Sequence, residues 1–158
     1  FAMAQKRSAG ILLYRQSAEL EVLLVHPGGP FWAKKDDGAW FLPKGEIDGD
    51  EDPFAAARRE FAEELGSAPP DGQAIDLGTV KNKGGKLIYA WALAGELQTS
   101  SIRSNTFTLE WPPRSGKTRE FPEVDRASFF SFGVALTKMH VAEQPFLERL
   151  AAILAGRT

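Results

Sequence analysis

Three glutamates, Glu60, Glu63 and Glu64, lie close together, with Arg59 beside them and Glu51 a short way upstream. Their i, i+3 and i, i+4 offsets put them on one side of any helix that contains them. Like charges so spaced repel by roughly 0.2–0.5 kcal/mol per pair. In a helix that stops at Gly66 they also occupy the last turn, where each carboxylate opposes the macrodipole at about 0.3–1 kcal/mol. A helix tuned for stability alone would carry Lys or Arg there. Something positive must offset the cluster, either Arg58 and Arg59 on a solvated acidic face or a bound cation. Carboxylate oxygens with no His or Cys among them suit a hard divalent ion, Mg²⁺ or Mn²⁺. Mg²⁺ in particular keeps several waters and bridges to substrate phosphates.

The helix that would carry these groups is well delimited. Asp52 can cap it, Pro53 suits its first position and Gly66 is a natural stop, so the sequence predicts a helix over 53–65. Phe54, Arg58, Phe61 and Leu65 form its inward stripe, opposite the glutamates. Ahead of it, 9–14 and 20–25 read as two strands and hairpin partners, followed by a long loop over 26–40 that holds Trp32, Lys34, Lys35 and Trp40. Loops of that length in a compact domain are usually functional or disordered, and the aromatics favour function. Beyond the helix, strands are expected at 75–80, 87–93 and 106–111. A loop follows over 112–122, then a last strand near 128–130 and helices near 132–139 and 143–154. The result is one mixed α/β domain over 8–155. Phe1-Ala2 ahead of Met3 reads as a cloning remnant, and residues 1–7 as a flexible N-terminus.

Composition narrows the function classes. The 158 residues carry 19 Lys+Arg against 21 Asp+Glu, a formal charge of −2, unlike the strongly basic profile of a general nucleic-acid binder. No stable nucleic-acid partner is expected. Zero cysteines exclude disulfides, zinc–thiolate sites and a thiol nucleophile. No apolar run approaches the roughly 18–20 residues that span a bilayer, so no membrane association is expected and a soluble, cytoplasmic protein is the default. Oligomeric state is left open.

The whole constellation is more specific than its parts. Gly45, Glu51, Arg59, Glu60, Glu63, Glu64 and Gly66 occupy fixed spacings. At an average usage of about 6–7% each, such a match arises by chance on the order of once in a million. From Gly45 to Gly66 the sequence matches the Nudix box, and the chain resembles the Nudix hydrolase family. Ser67 departs from the pattern, standing where the family has a large aliphatic residue. The resemblance implies an α/β/α sandwich with a mixed sheet, and a Mg²⁺-dependent hydrolase (Mn²⁺ as substitute) of nucleoside diphosphates linked to another group. It implies that Glu60, Glu63 and Glu64 are metal ligands, that Arg59 orients a box glutamate and that Glu51 holds the loop–helix geometry. Gly45 would turn the backbone tightly and offer its carbonyl to the metal. One further glutamate beyond the box is expected to join them. Glu123 fits that position best and Glu120 second.

Substrate contacts are expected from two segments. The stretch Gly38 to Gly45, with Trp40, Pro43 and Lys44, is similar to the Nudix branch acting on diadenosine polyphosphates and diphosphoinositol polyphosphates. Lys44 would meet phosphate there as a point charge. The loop with Arg114, Lys117 and Arg119 could clamp a polyphosphate. Its Gly-Lys-Thr at 116–118 is not a P-loop, because Trp111 stands where the first glycine is needed. Trp32, Trp40 and Trp111 are candidate base-stacking partners, whereas Trp91 reads as core. Asp36 and Asp37 read as solvated turn residues, and His26 and His140 are assigned no chemistry. The expected substrate is a small nucleotide, a dinucleoside polyphosphate first. A house-cleaning triphosphate pyrophosphatase and a non-hydrolytic nucleotide-binding module are the alternatives.

Overall fold

The computed structural model describes residues 6–156. Five of the residues assigned to a flexible N-terminus, 1–5, lie outside that range, while Arg7 already belongs to the first strand. The elements are β1 (Arg7–Gln16), β2 (Leu20–Pro27), β3 (Lys44–Glu46), α1 (Pro53–Leu65), β4 (Ile75–Lys81), β5 (Leu87–Ala94), β6 (Thr106–Glu110), β7 (Thr118–Pro122), β8 (Val124–Ser131), α2 (Phe132–Lys138) and α3 (Gln144–Ala155). A single 3₁₀ turn, Thr99–Ser101, precedes β6.

The main sheet runs β4-β5-β1-β2-β8, with β3 also paired to β1. It is mixed. β1 and β5 are parallel, from Arg7↔Leu87 to Tyr14↔Ala94, and the other pairings are antiparallel. A parallel pair needs a long crossover, and the chain between β1 and β5 supplies it with α1. β1 and β2 pair only at their hairpin end, Tyr14↔Val22 to Gln16↔Leu20. Beyond it they splay apart. β3 fills the gap on the β1 side, and Phe41 bridges to Val25 on the β2 side. That parting of the strands opens the sheet beside α1.

Period-two alternation sends β1 side chains to two cores. Ala9, Ile11 and Leu13 pack with Leu23, Phe61 and Leu65 under α1. Leu12, Val22 and Leu24 pack with Phe146, Leu147 and Leu150 of α3 on the opposite face. The layers are α/β/α, as the resemblance implied. At the start of α1 the Asp52 carboxylate accepts the Ala55 N–H at 3.0 Å, and Gly66 ends it at φ 80°. No described helix is long and apolar enough to cross a membrane.

One expectation needs correction. The segment 112–122 is not all loop, since Thr118–Pro122 forms β7 and pairs with β6 from Thr106↔Pro122 to Glu110↔Thr118. β7 is short and polar, with Phe121, which meets Phe107 across the pair, as its one residue that is not exposed, so it lacks the apolar alternation that signals a strand. Asp36 is exposed and also accepts the Trp40 Nε1–H at 2.8 Å and pairs with Lys138 at 2.6 Å.

Candidate active site

The Nudix-box side chains assemble around Arg59. Its guanidinium makes a two-pronged contact with Glu51, from Nε at 2.9 Å and Nη2 at 2.8 Å, and Nη2 also donates to the Glu46 carbonyl at 3.1 Å. Nη1 turns the other way, to Glu60 at 2.8 Å and Glu63 at 3.2 Å. Arg59 is therefore locked by Glu51 on one side and holds two α1 carboxylates on the other. The planar fork suits that geometry where an ammonium would not. The same contacts hold the Glu51 carboxyl down at about 2, first through the Arg59 hydrogen bond and then through the Asp48 N–H.

Gly45 is needed where it stands. A Cβ there would run into the Glu60 carboxyl, so glycine lets that carboxylate lie against the β3 backbone. Glu64 points to the β3 side of α1 rather than to solvent and is 8% exposed. Burial pushes its carboxyl up to about 8, opposed by the charge of Lys44 and reinforced by Glu60 and Glu123. The Lys44 N–H also bonds it. Glu60 is likewise raised, first by burial, and is repelled by Glu63 and Glu123. Glu60 and Glu64 of α1 thus each feel the charge of Glu123, the residue between β7 and β8.

A cavity of about 210 Å³ opens there. Lys44, Glu64 and Glu123 line it on the polar side, and Trp32, Phe41, Leu42 and Val25 are among its apolar walls. Trp32 and Phe41 meet edge to face at 5.6 Å. The structure thus brings Glu123 to this cavity, while Glu120 is exposed on β7. Trp40, expected beside the substrate, does not line it. It is 4% exposed and packs edge-on against Phe130 at 4.9 Å and His26 at 5.2 Å. Its large apolar area is used in the core, with the indole N–H satisfied by Asp36. Arg114 and Lys117 lie exposed in the β6–β7 connection and do not line the cavity either. That hairpin is seated beside the cavity loop through Trp111, which meets Phe31 edge to face at 5.6 Å.

The donor set fits a hard divalent ion. It is all oxygen, it carries surplus negative charge, and the glycine cradle keeps Glu60 against the backbone. The cage is not closed in advance. Among the described residues no three acidic or histidine side chains already converge on one point, because Glu60 and Glu63 are turned to Arg59.

Sequence reasoning missed two groups here. Glu143, 2% exposed at the start of α3, accepts the Leu42 N–H at 3.0 Å and pairs with Lys44 Nζ at 2.7 Å. His26, assigned no chemistry and fully buried, ties β8 to the cavity loop through Asp125 Oδ1 at 2.9 Å and the Lys35 carbonyl at 2.7 Å. Neither has a local signal, since both act through contacts that only the folded chain brings together.

Comparison with known proteins decides the family. The NUDIX domain model matches residues 4–150. The chain belongs to the Nudix family. Nudix proteins generally use divalent metal ions, in keeping with the oxygen donor set. A relative described as an RNA pyrophosphohydrolase, from Acidiphilium cryptum (strain JF-5), is 38% identical over 66 residues, 42% of this chain and 38% of that protein. The match thus spans well under half of that relative. Among solved structures, a C. elegans Ap4A hydrolase binary complex is similar at TM-score 0.65 and 21% identity, over 94% of this chain and 98% of that one. The NUDIX domain of Shewanella oneidensis NrtR complexed with ADP ribose is similar at TM-score 0.67 and 20% identity, over 97% and 90%. At such identities these two show the Nudix fold.

Proposed function

We propose that this Nudix protein is a Mg²⁺-dependent hydrolase of phosphoric anhydrides that cleaves a nucleoside polyphosphate, with a dinucleoside polyphosphate such as diadenosine tetraphosphate as the best-fitting substrate. The observation that carries the proposal is the cavity itself. Trp32 and Phe41 line it together with Lys44, whose Nζ lies 4.5 Å from the centre of the Phe41 ring, and with Glu64 and Glu123, while Arg59 holds Glu60 and Glu63 on α1. The aromatic lining suits a nucleobase, and the charged lining suits phosphate with its cations. The Ap4A hydrolase among the structural neighbours and the RNA pyrophosphohydrolase relative are in line with it.

Glu60, Glu63 and Glu64, with Glu123 and the Gly45 carbonyl, would hold the metal. Bound divalent ions supply neutralisation of phosphate charge and acidification of water. The remaining work falls to the chain's own groups. Arg59 fixes the rotamers of Glu60 and Glu63, as outer-shell partners do for ligands. Lys44 meets a phosphate oxygen. Glu64 and Glu123 both line the cavity, and whichever of them is not holding a metal would take the proton of a water attacking phosphorus. The apolar wall keeps bulk water from the anhydride.

The test is a panel of nucleotides incubated with Mg²⁺ and resolved by chromatography. Release of a nucleoside triphosphate and monophosphate from diadenosine tetraphosphate is the expected result. Release of pyrophosphate from nucleoside triphosphates, with the dinucleotide untouched, would assign a house-cleaning role instead. Binding of nucleotides with cleavage of none would make the protein a binding module.

A further inference from the structure

Glu143 lies 99 residues from Lys44 in the chain and outside the Nudix box, yet its carboxylate is committed to this cavity. One oxygen accepts the Leu42 N–H at 3.0 Å and the other meets Lys44 Nζ at 2.7 Å. Both partners line the cavity. At 2% exposure the carboxylate has shed nearly all its water, and a buried charge is tolerated only with hydrogen-bonded, charged partners. Here there are two. The lysine is also gripped from the side, with Nζ 4.5 Å from the centre of the Phe41 ring. A four-carbon ammonium arm normally samples many rotamers. This one is pinned at a single spot between an aromatic wall and a buried anion.

The pinning settles a competition. The charge of Lys44 also acts on the Glu64 carboxyl, so the ammonium has a second anionic partner available. Glu143 holds it on the α3 side, so the carboxylates stay available to cations and the ammonium stays available to an anion. We propose that Glu143 is a positioning residue that fixes Lys44 at the cavity wall for a phosphate group of the substrate. The proposal rests on the reading of Lys44 as a phosphate contact. It links α3, an element on the opposite face of the sheet from α1, to substrate affinity.

The experiment is steady-state hydrolysis of diadenosine tetraphosphate with Mg²⁺ by wild type, Lys44→Met, Glu143→Gln and the double variant, each checked for folding by near-UV circular dichroism. Glu143→Gln keeps an acceptor for the Leu42 N–H and removes the charge that holds Lys44. It should raise KM roughly five- to tenfold, as loss of one charge-assisted hydrogen bond would, with kcat changed far less. Lys44→Met should raise KM at least as much, and the double variant no further. A wild-type KM in Glu143→Gln beside a raised KM in Lys44→Met overturns the positioning role and leaves Lys44 a phosphate contact. Additive effects in the double variant also overturn it. A wild-type KM in Lys44→Met overturns the phosphate contact itself. Should Glu143→Gln fail to fold, Glu143→Asp keeps the charge and withdraws it by one methylene. A raised KM is expected there too, and an unchanged KM in that folded variant overturns the proposal.

Discussion

At the scale of single residues, the proposed chemistry rests on carboxylates placed where folding alone would not want them. Glu64 is the clearest case. Its carboxyl is pushed to about 8 by burial, well above its value in an unfolded chain. A folded-state pKa above the unfolded one means that stability is fully present below about 4.5 and drains away as pH rises toward 8. In EDTA the melting temperature of the wild-type protein should therefore fall between pH 5 and 8, and Glu64→Gln should flatten that slope. An equal slope in the variant would show that Glu64 ionises normally. Glu51 behaves in the opposite sense. Held down at about 2 by Arg59, it contributes stability above about 4.5 that disappears as acid approaches pH 2. The types and spacing of these residues were legible in the sequence because they sit on one helix turn or a few residues from it. The role of Trp40 was not, since a tryptophan in a loop looks the same whether it faces a base or, as here, Phe130 and Asp36.

At the scale of elements, α1 and β3 work as one unit. The boundaries of α1 follow from the Asp52 cap and the left-handed Gly66, both local signals, which is why 53–65 could be read directly. β3, three residues long, has no such signal and exists through its pairing with β1. Its Gly45 provides the element-level test. Gly45→Ala would press a methyl against the Glu60 carboxyl, moving a proposed ligand without touching either core. Turnover should drop by about 10–100-fold, the usual effect of displacing a ligand's support, while the melting temperature changes little. Wild-type turnover would mean that the Glu60 position does not matter. β7 illustrates the reverse limit. Five residues with one inward aromatic carry no usable pattern, and only the partner β6 makes them a strand.

For the whole molecule, the site is a product of topology. β1 and β2 separate after a short shared register, β3 and Phe41 enter the gap, the β7–β8 link brings Glu123, and the N-cap of α3 brings Glu143. The β6–β7 hairpin stands apart from the main sheet and is joined to the cavity loop by Phe31 and Trp111. Its exposed Arg114 is the proposed phosphate clamp. Arg114→Ala should raise KM for diadenosine tetraphosphate about threefold or more with kcat nearly unchanged, the signature of lost uniform binding. An unchanged KM would make the hairpin a bystander. A mixed α/β fold and the acidic helix were readable from the chain, but these meetings between distant segments were not. The most direct test of the proposed metal site is a Mn²⁺ titration followed by electron paramagnetic resonance, with a non-hydrolysable nucleotide present, on wild type and Glu63→Gln. Nucleotide-dependent Mn²⁺ occupancy in the wild type, lost or strongly weakened in the variant, is the expected result. No occupancy in the wild type, or equal occupancy in Glu63→Gln, would contradict it.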